Sequence, residues 1–175
     1  MIKVVNILRI LMILSIVLLS QNIKGESLPE YRLKAAFVYN FIAYTEWPVD
    51  LGSSVNLCLI GNHPFGEEID SLDGRHVNQY HVAVKIKALS DSLQDCEVVF
   101  VSSDAIRYLP KILQKLNDNP VLTIADTESA IDRGVMLNMK IAHQKLFFEA
   151  NQKSARNAGL MLSAKLLRLA TRVYQ

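Results

Sequence analysis

The chain has 175 residues, of which 50% are hydrophobic and 21% are charged, and its formal net charge is +2. This length accommodates one globular domain but not two domains of ordinary size. Its seven glycines, five prolines and ordinary charge content exclude collagen-like and intrinsically disordered chains.

The first predicted element is an amino-terminal leader. Lys3 and Arg9 supply its positive charge, and an apolar run over residues 10–19 is interrupted only by Ser15. This run is shorter than the about 20 apolar residues that span a bilayer, and its length is typical of a secretory signal peptide. We predict a signal peptide over residues 1–25, with an uncleaved membrane anchor or an internal helix as the alternatives.

Removal of the leader changes the charge balance of the chain. It removes three basic residues and no acidic residue, so residues 26–175 carry 16 basic and 17 acidic side chains. A nearly neutral domain lacks the basic surface with which proteins attract nucleic acids. We therefore predict no nucleic-acid partner.

A helix is predicted over residues 31–46. Ser27 and Glu30 have the spacing of a capping box, and Pro29 stands in the first turn, where its missing N–H is tolerated. Pro48 disfavours helical geometry in the residue before it and is expected to end the helix.

Short apolar runs alternate with helical segments in the rest of the chain. Strands are predicted over residues 55–60, 81–86, 96–101, 121–124, 135–141 and 146–149, and helical segments over 64–72, 104–116, 127–132 and 151–174. This alternation indicates a mostly parallel sheet covered on both faces. We predict one α/β domain over residues 26–175, a three-layer sandwich whose sheet has a late antiparallel edge, with long N- and C-terminal helices.

Cys58 and Cys96 are the two cysteines of the chain. An even number of cysteines in an exported chain predicts a disulfide, with two buried free thiols as the alternative. Cys58 lies inside the first predicted strand and Cys96 begins a later one, so the bridge is expected to fix the register of the sheet. No histidine flanks either cysteine at the spacing of a zinc site.

The sequence lacks the motifs of common enzyme classes. Gly61 and Gly66 have the spacing of a P-loop, but Glu67 and Glu68 stand where that motif requires Lys and Ser or Thr. Neither a dinucleotide fingerprint nor a G-x-S-x-G nucleophile motif occurs. We predict no catalytic residue, no cofactor and no metal site.

Polar residues follow several of the predicted strands. Asp126 stands at the carboxyl end of the fourth strand, where open α/β sheets place functional groups, but it is equally suited to cap the following turn. Together with residues 61–66 and 102–104 it outlines a candidate small-molecule pocket. An exported enzyme would need an acid or base such as His63, Asp104 or Asp126 in one cleft.

Two predicted helices have more apolar surface than one packing face requires. The first helix carries an aromatic face, and aromatic residues are enriched at protein interfaces. We predict that partner-binding positions are among Phe37, Phe41, Tyr44 and Trp47, while others of this set lie in the core. The last helix has a wide apolar arc beside Lys165, Arg168 and Arg172, with small residues at Gly159 and Ser163 that allow a close approach.

Glu149 is expected to have a structural role just before this last helix. It can accept backbone N–H groups at the helix start or pair with Arg156.

A set of ordered segments resembles the YfiR-like family of exported bacterial proteins. The segments are AAFVYNF at 35–41, TEWP at 45–48, LIGNHPFG at 59–66, DCEVVFVS at 95–102, PVLTIAD at 120–126, FEAN at 148–151, AR at 155–156, AGL at 158–160 and SAKLLRLA at 163–170. The resemblance covers nearly all of residues 31–174.

The resemblance implies a compact α/β domain that resides in the periplasm and forms homodimers. It implies that the protein binds the periplasmic domain of an inner-membrane receptor, a diguanylate cyclase or a sensor kinase, and represses it, thereby controlling cyclic-di-GMP output and biofilm formation. An outer-membrane lipoprotein is expected to relieve the repression by sequestering the protein. The alternative is a periplasmic small-molecule binding module that acts as a sensor input.

Overall fold

An eight-stranded sheet is the frame of the protein in this computed structural model, which describes residues 28–63, 65–116, 119–142 and 145–175. The predicted signal peptide over residues 1–25 lies outside the described residues. Within the described ranges, no helix has the length and apolarity that crossing a membrane requires.

The helices and strands follow one another along the whole described chain. In chain order they are α1 (Leu28–Ala43), β1 (Thr45–Glu46), β2 (Ser54–Ile60), α2 (Glu67–Asp70), β3 (His76–Val77), β4 (Tyr80–Lys87), β5 (Val98–Val101), α3 (Leu109–Lys115), β6 (Leu122–Ala125), β7 (Leu137–Ala142), β8 (Lys145–Asn151), α4 (Gln152–Asn157), β9 (Met161–Leu162), α5 (Ala164–Leu169) and β10 (Arg172–Tyr174). Single 3-10 turns occur at Ile106–Tyr108 and Ile131–Arg133.

The large sheet has the strand order β10-β8-β7-β6-β5-β2-β4-β3. The pairs from β4 to β7 are parallel, whereas β8 runs antiparallel to β7 and β3 runs antiparallel to β4. The final strand, β10, returns parallel to β8. The predicted α/β class is confirmed, with its mostly parallel sheet and its late antiparallel edge.

The central strands are mostly apolar because both faces of the sheet are covered. Every residue of β5 and of β6 is buried. The larger core lies on the face covered by α1 and α5, and the smaller core lies under α3 on the opposite face. Helices therefore cover both faces of one sheet, as the predicted three-layer arrangement requires.

The first helix ends earlier than predicted. It stops at Ala43 instead of continuing to Glu46, and the hydroxyl of Thr45 donates a 2.7 Å hydrogen bond to the Phe41 carbonyl at its end. Thr45 and Glu46 pair instead with Leu162 and Met161 in a small antiparallel sheet. Strand pairing with a distant segment, rather than Pro48, ends this helix.

The predicted long C-terminal helix over residues 151–174 is wrong. This segment forms α4, β9, α5 and β10. Gly159 takes a left-handed backbone conformation with φ of 78°, which an α-helix cannot continue through. Ser163 then starts a new helix, since its side chain accepts a hydrogen bond from the Leu166 N–H.

The disulfide between Cys58 and Cys96 is confirmed, with 5.8 Å between the two Cα atoms. Cys58 lies in β2 opposite Val99 of β5, and Cys96 stands two residues before β5 begins. Both cysteines are buried in the smaller core. The bridge thus ties the two central strands together, as expected from their positions in the sequence.

Candidate functional site

An apolar groove lies between α1, β8 and α5. Its volume is about 380 Å³, and its walls are formed by Phe37, Asn40, Phe41, Tyr44, Leu146, Phe147, Phe148, Leu166 and Leu169. Three of the four residues that we predicted as partner-binding candidates are among them. The elements that form the groove are brought together by the larger core, of which Phe41, Phe148 and Leu166 are buried members.

Three phenylalanines form the floor of the groove. The ring centroids of Phe41 and Phe148 are 4.9 Å apart, and Phe37 meets these rings edge-on at 5.9 and 6.0 Å. Edge-to-face pairs of this kind fix the relative orientation of aromatic rings. Since Phe41 and Phe148 are 1% and 3% exposed, the floor is rigid, and Phe37 forms its half-buried part.

The rim of the groove combines apolar and basic groups. Leu169 is 63% exposed, and the ammonium of Lys165 lies 4.8 Å from the centre of the Tyr44 ring. A cation above an aromatic face is held by the ring quadrupole. The exposed Arg168 is the neighbour of Leu169 on α5. The groove therefore presents an apolar interior beside a positively charged edge.

Trp47 does not line this groove. It is half-buried against the larger core, and its indole Nε1 is buried without a hydrogen-bond partner among the described residues.

The sequence reasoning missed the wall formed by Leu146 and Phe147 because alternating apolar residues on a strand indicate only a covered face. Leu166 and Leu169 belong to the wide apolar arc that the sequence predicts for one long C-terminal helix, but the sequence does not single them out as groove residues.

A buried ion pair stands at the carboxyl end of β6. The Lys34 ammonium on α1 lies 2.8 Å from the Asp126 carboxylate and 2.7 Å from that of Glu30, and the side chains of Lys34 and Asp126 are 9% and 8% exposed. Burial lowers the pKa of Lys34, but its hydrogen bonds to Asp126 and Glu30 outweigh this effect, so that its pKa is raised. Asp126 thus holds the first helix against the sheet.

The other polar residues singled out in the sequence have structural partners. Both carboxylate oxygens of Asp104 accept the backbone N–H of Asn62 at 3.1 Å. Glu149 pairs with Lys140 at 2.9 Å, whereas we expect it to accept backbone N–H groups or to pair with Arg156. Among the described residues, no hydrogen bond links Asp104 or Asp126 to His63, which leaves these candidate enzyme groups without a shared network.

A group of potential metal ligands in the described part of the chain includes the two disulfide cysteines. Ligand atoms of Cys58, Asp95 and Cys96 lie within 4.8 Å of one another, but the two sulfurs are bonded to each other and so supply no thiolate. Hydrogen bonds from Lys87 and then Lys85 lower the pKa of Asp95 to about 2. This carboxylate serves as the partner of two lysines at the surface.

Comparison with known proteins places the chain among related sequences and folds. A family model described as YfiR/HmsC-like matches residues 31–171. A solved structure described as the ABC domain in complex with L-Trp from Streptococcus pneumoniae is similar, with a TM-score of 0.58, 8% sequence identity, and coverage of 82% of this chain and 60% of that chain. A conserved domain protein from Vibrio cholerae O1 biovar eltor has a TM-score of 0.54 and 9% identity, again with 82% and 60% coverage.

These two likenesses concern the fold alone, because the identities are so low. This chain spans about 60% of the length of either solved structure.

Proposed function

The chain belongs to the YfiR/HmsC-like family, and from this membership we propose that it binds and represses the periplasmic domain of an inner-membrane diguanylate cyclase. The family is one of periplasmic regulators of cyclic-di-GMP signalling, and it is regulatory rather than catalytic. The lack of a shared network among the candidate enzyme groups is consistent with this role. The signal peptide over residues 1–25 and residence in the periplasm are parts of the same proposal.

The apolar groove is the surface that we assign to the receptor. Its floor combines the rigid Phe41 and Phe148 with the half-buried Phe37, and its rim offers Tyr44 and the exposed Leu169. Binding energy in protein interfaces is concentrated in central apolar and aromatic side chains that become fully desolvated. A preformed groove also loses little conformational freedom when a partner enters it.

The charge of the rim indicates the chemistry of the receptor segment. Lys165 and Arg168 are exposed on α5, where Lys165 contacts Tyr44 of the groove and Arg168 is next to Leu169 in the sequence. Opposite charges across an interface accelerate encounter and fix the orientation of the partners. We expect an apolar side chain of the receptor to fill the groove and an acidic residue next to it to face the two basic side chains.

Repression follows from linkage between binding and receptor conformation. A protein that binds one conformation of the receptor better than another shifts the receptor population by that difference in affinity. An outer-membrane lipoprotein that competes for this repressor would release the receptor.

Homodimer formation also belongs to the proposal, and light scattering of the purified protein measures it.

The proposal rests mainly on one observation, namely that aromatic residues of α1 and apolar residues of α5 line the same groove. Substitution of Leu169 tests it. We expect Leu169→Asp to lose binding to the purified periplasmic domain of the cyclase and to raise cellular cyclic-di-GMP. Ile86→Asp is the matched control, because Ile86 is 71% exposed on β4, far along the strand order from the groove. Equal cyclase binding by the wild type and Leu169→Asp would contradict this assignment.

A second candidate function is small-molecule sensing by the same groove. Its volume of about 380 Å³ suits a small aromatic ligand, and one structural neighbour is described as a complex with L-Trp. We expect calorimetric titration with L-Trp to give saturable binding that Phe37→Ala weakens. If this titration releases no heat while cyclase binding is intact, small-molecule sensing is rejected and receptor binding remains as the function of the groove.

A further inference from the structure

Two histidines face each other at the edge of the sheet that lies farthest from α5. β3 and β4 form an antiparallel hairpin whose two-residue turn contains Asn78 in a left-handed conformation, with φ of 51°. Val77 pairs with Tyr80 next to the turn, and His76 pairs with His81 one step further along. The hairpin therefore sets two imidazoles directly opposite each other.

The backbone hydrogen bonds bring these two side chains close together. The N–H of His81 donates to the carbonyl of Ser53, on the side of β2, at 2.8 Å. In an antiparallel ladder, a residue whose backbone groups point away from its partner belongs to a non-hydrogen-bonded pair, in which the side chains are closer. The ring centroids of His76 and His81 are accordingly 3.8 Å apart, with an angle of 49° between the rings.

Both histidines are accessible and lack carboxylate or lysine partners in the described structure. They are exposed, and Nδ1 of His81 lies 3.4 Å from the carbonyl oxygen of Gly74. When Nδ1 carries the proton toward that carbonyl, Nε2 keeps its lone pair and is free to bind a cation. Metal-bound imidazoles in proteins are commonly oriented by this kind of contact through the second ring nitrogen.

The nearest charged residues of the hairpin have other contacts. The Arg75 guanidinium stacks 4.4 Å from the centre of the Tyr39 ring on α1, and an oxygen of Asp73 accepts the Val84 N–H at 2.9 Å. Lys85, the next charged side chain on the histidine face of β4, pairs with a carboxylate at 3.1 Å. A cation at the histidine pair thus meets two imidazoles without a competing ammonium in contact.

We propose that His76 and His81 form a two-imidazole binding site for a divalent transition-metal ion of the Zn²⁺ type, with water in the remaining coordination positions. Imidazole nitrogen is a preferred ligand of Zn²⁺, Cu²⁺ and Ni²⁺. A zinc–nitrogen distance of about 2.0–2.1 Å places two ligand nitrogens of one ion roughly 3 Å apart. The ring centroids of His76 and His81 lie 3.8 Å apart, close to this separation.

Metal at this position links β3 to β4 in an edge hairpin that also contacts α1. The backbone oxygen of His76 accepts the Tyr39 hydroxyl of α1 at 2.9 Å, and the Asn78 amide donates to the carbonyl of Ala43 at 3.0 Å. An ion that joins β3 to β4 stabilises the folded hairpin, because binding to the folded state alone raises the free energy of unfolding.

The test is titration of the full chain, without a histidine tag, with Zn²⁺ in a calorimeter. We expect saturable binding of one ion to the hairpin site and a higher melting temperature, and we expect Mg²⁺, which prefers oxygen ligands, to produce neither effect. His76→Ala and His81→Ala each lose this binding. His63→Ala, which removes a histidine from the loop after β2, is the matched control and keeps it.

NMR distinguishes this site from other zinc ligands of the chain. We expect Zn²⁺ to shift the ring protons of His76 and His81 together at one equivalent. The metal-free melting temperatures of the variants show whether these exposed positions tolerate alanine. Unchanged Zn²⁺ affinity in either His76→Ala or His81→Ala, or a shift of only one of the two rings, would overturn the proposal.

Discussion

The ammonium of Lys34 lies 2.8 Å from the Asp126 carboxylate, and this pair links the first helix to the end of β6. The two side chains are 9% and 8% exposed, whereas the second partner of Lys34, Glu30, is 41% exposed. A buried charge without its partner is costly because the protein interior solvates it poorly. The attachment of α1, which carries Phe37 and Phe41 of the groove floor, therefore depends on this contact.

Replacement of Lys34 by methionine tests the strength of this attachment. We expect Lys34→Met to lower the free energy of unfolding by about 3–5 kcal/mol, because it leaves the Asp126 carboxylate buried without a cation. Arg32→Met is the control: Arg32 pairs with Glu68 at 3.3 Å but is 75% exposed, so its loss should cost at most about 1 kcal/mol. Urea unfolding measures both, and equal losses would contradict the prediction.

The same pair predicts a loss of stability at high pH. The pKa of Lys34 is raised above 10.5 in the folded protein, so its contribution is fully present below the pKa of the unfolded chain and is lost as pH rises through the folded value. We expect the stability difference between the wild type and Lys34→Met to stay constant up to about pH 9 and to shrink above about pH 10.5. Thermal melts across this range measure it; a constant difference would contradict the prediction.

Reduction of the Cys58–Cys96 disulfide should destabilise the protein without unfolding its sheet. The bridge closes a loop with a sequence separation of 38 residues, for which the chain-entropy model gives about 3–4 kcal/mol. We expect reductant to lower the melting temperature of the wild type to near that of the Cys58→Ala, Cys96→Ala double variant. The double variant itself should not respond to reductant, which separates loss of the bridge from other effects.

Gly159 should resist substitution by residues with a Cβ atom. Its φ is 78° and the Cβ of an alanine would lie 3.4 Å from Pro48 Cγ, an ordinary contact, so the cost comes from the backbone conformation. We expect Gly159→Ala to lower the free energy of unfolding by about 1–2 kcal/mol. Gly159→Asn should cost less, because asparagine tolerates the left-handed region. A reversed order of the two variants in chemical denaturation would show that side-chain contacts dominate.

The acidity of Asp95 depends on two lysines of β4. Its pKa is lowered from 3.8 to about 2, first by the hydrogen bond from Lys87 and then by that from Lys85. We expect Lys87→Met to raise the pKa of Asp95 toward its usual value, while Lys111→Met leaves it unchanged. The small stabilisation from this exposed pair is present above pH 3.8 and is lost as pH falls through about 2. Carboxyl-carbon NMR titration reads the pKa directly.

The central sheet was predictable because its strands are continuous apolar runs. β5 and β6 are four residues each and wholly buried. β5 lies inside the strand predicted over residues 96–101, whereas β6 extends one residue beyond the strand predicted over residues 121–124. The parallel pairing of β5 with β6 also follows a local rule, since α3 joins these two strands. The antiparallel pairing of β7 with β8 was predictable because only four residues separate the two strands predicted over residues 135–141 and 146–149.

The C-terminal quarter was not predictable from local pattern. Gly159 and Ser163 were read as small residues on one helix face, but they end one helix and begin the next. Strands of two or three residues, such as β9 and β10, have too little sequence for a periodic signal. Contacts with Thr45 and with β8, which lie far away in the sequence, determine these strands.

Only one side of the groove could be predicted from the sequence. The aromatic face of α1 is visible in the sequence, and Phe37, Phe41 and Tyr44 do line the groove. The opposite wall comes from β8 and α5, whose apolar residues are indistinguishable in sequence from ordinary core positions. Trp47 fits the same sequence pattern as the other three but does not line the groove, because α1 ends at Ala43 and the chain leaves the helical path before Trp47.

The pairing of Thr45 with Leu162 also has a consequence for how the chain reaches its native state. In the groove, Phe37 and Phe41 of α1 are covered by residues of β8 and α5, near the other end of the chain. Contacts between such distant segments form slowly, since a long loop must close before any packing energy is gained. A nascent chain released before β8 is made would leave Phe37 and Phe41 uncovered, so we expect folding to be completed only after synthesis ends and to be vulnerable to C-terminal truncation.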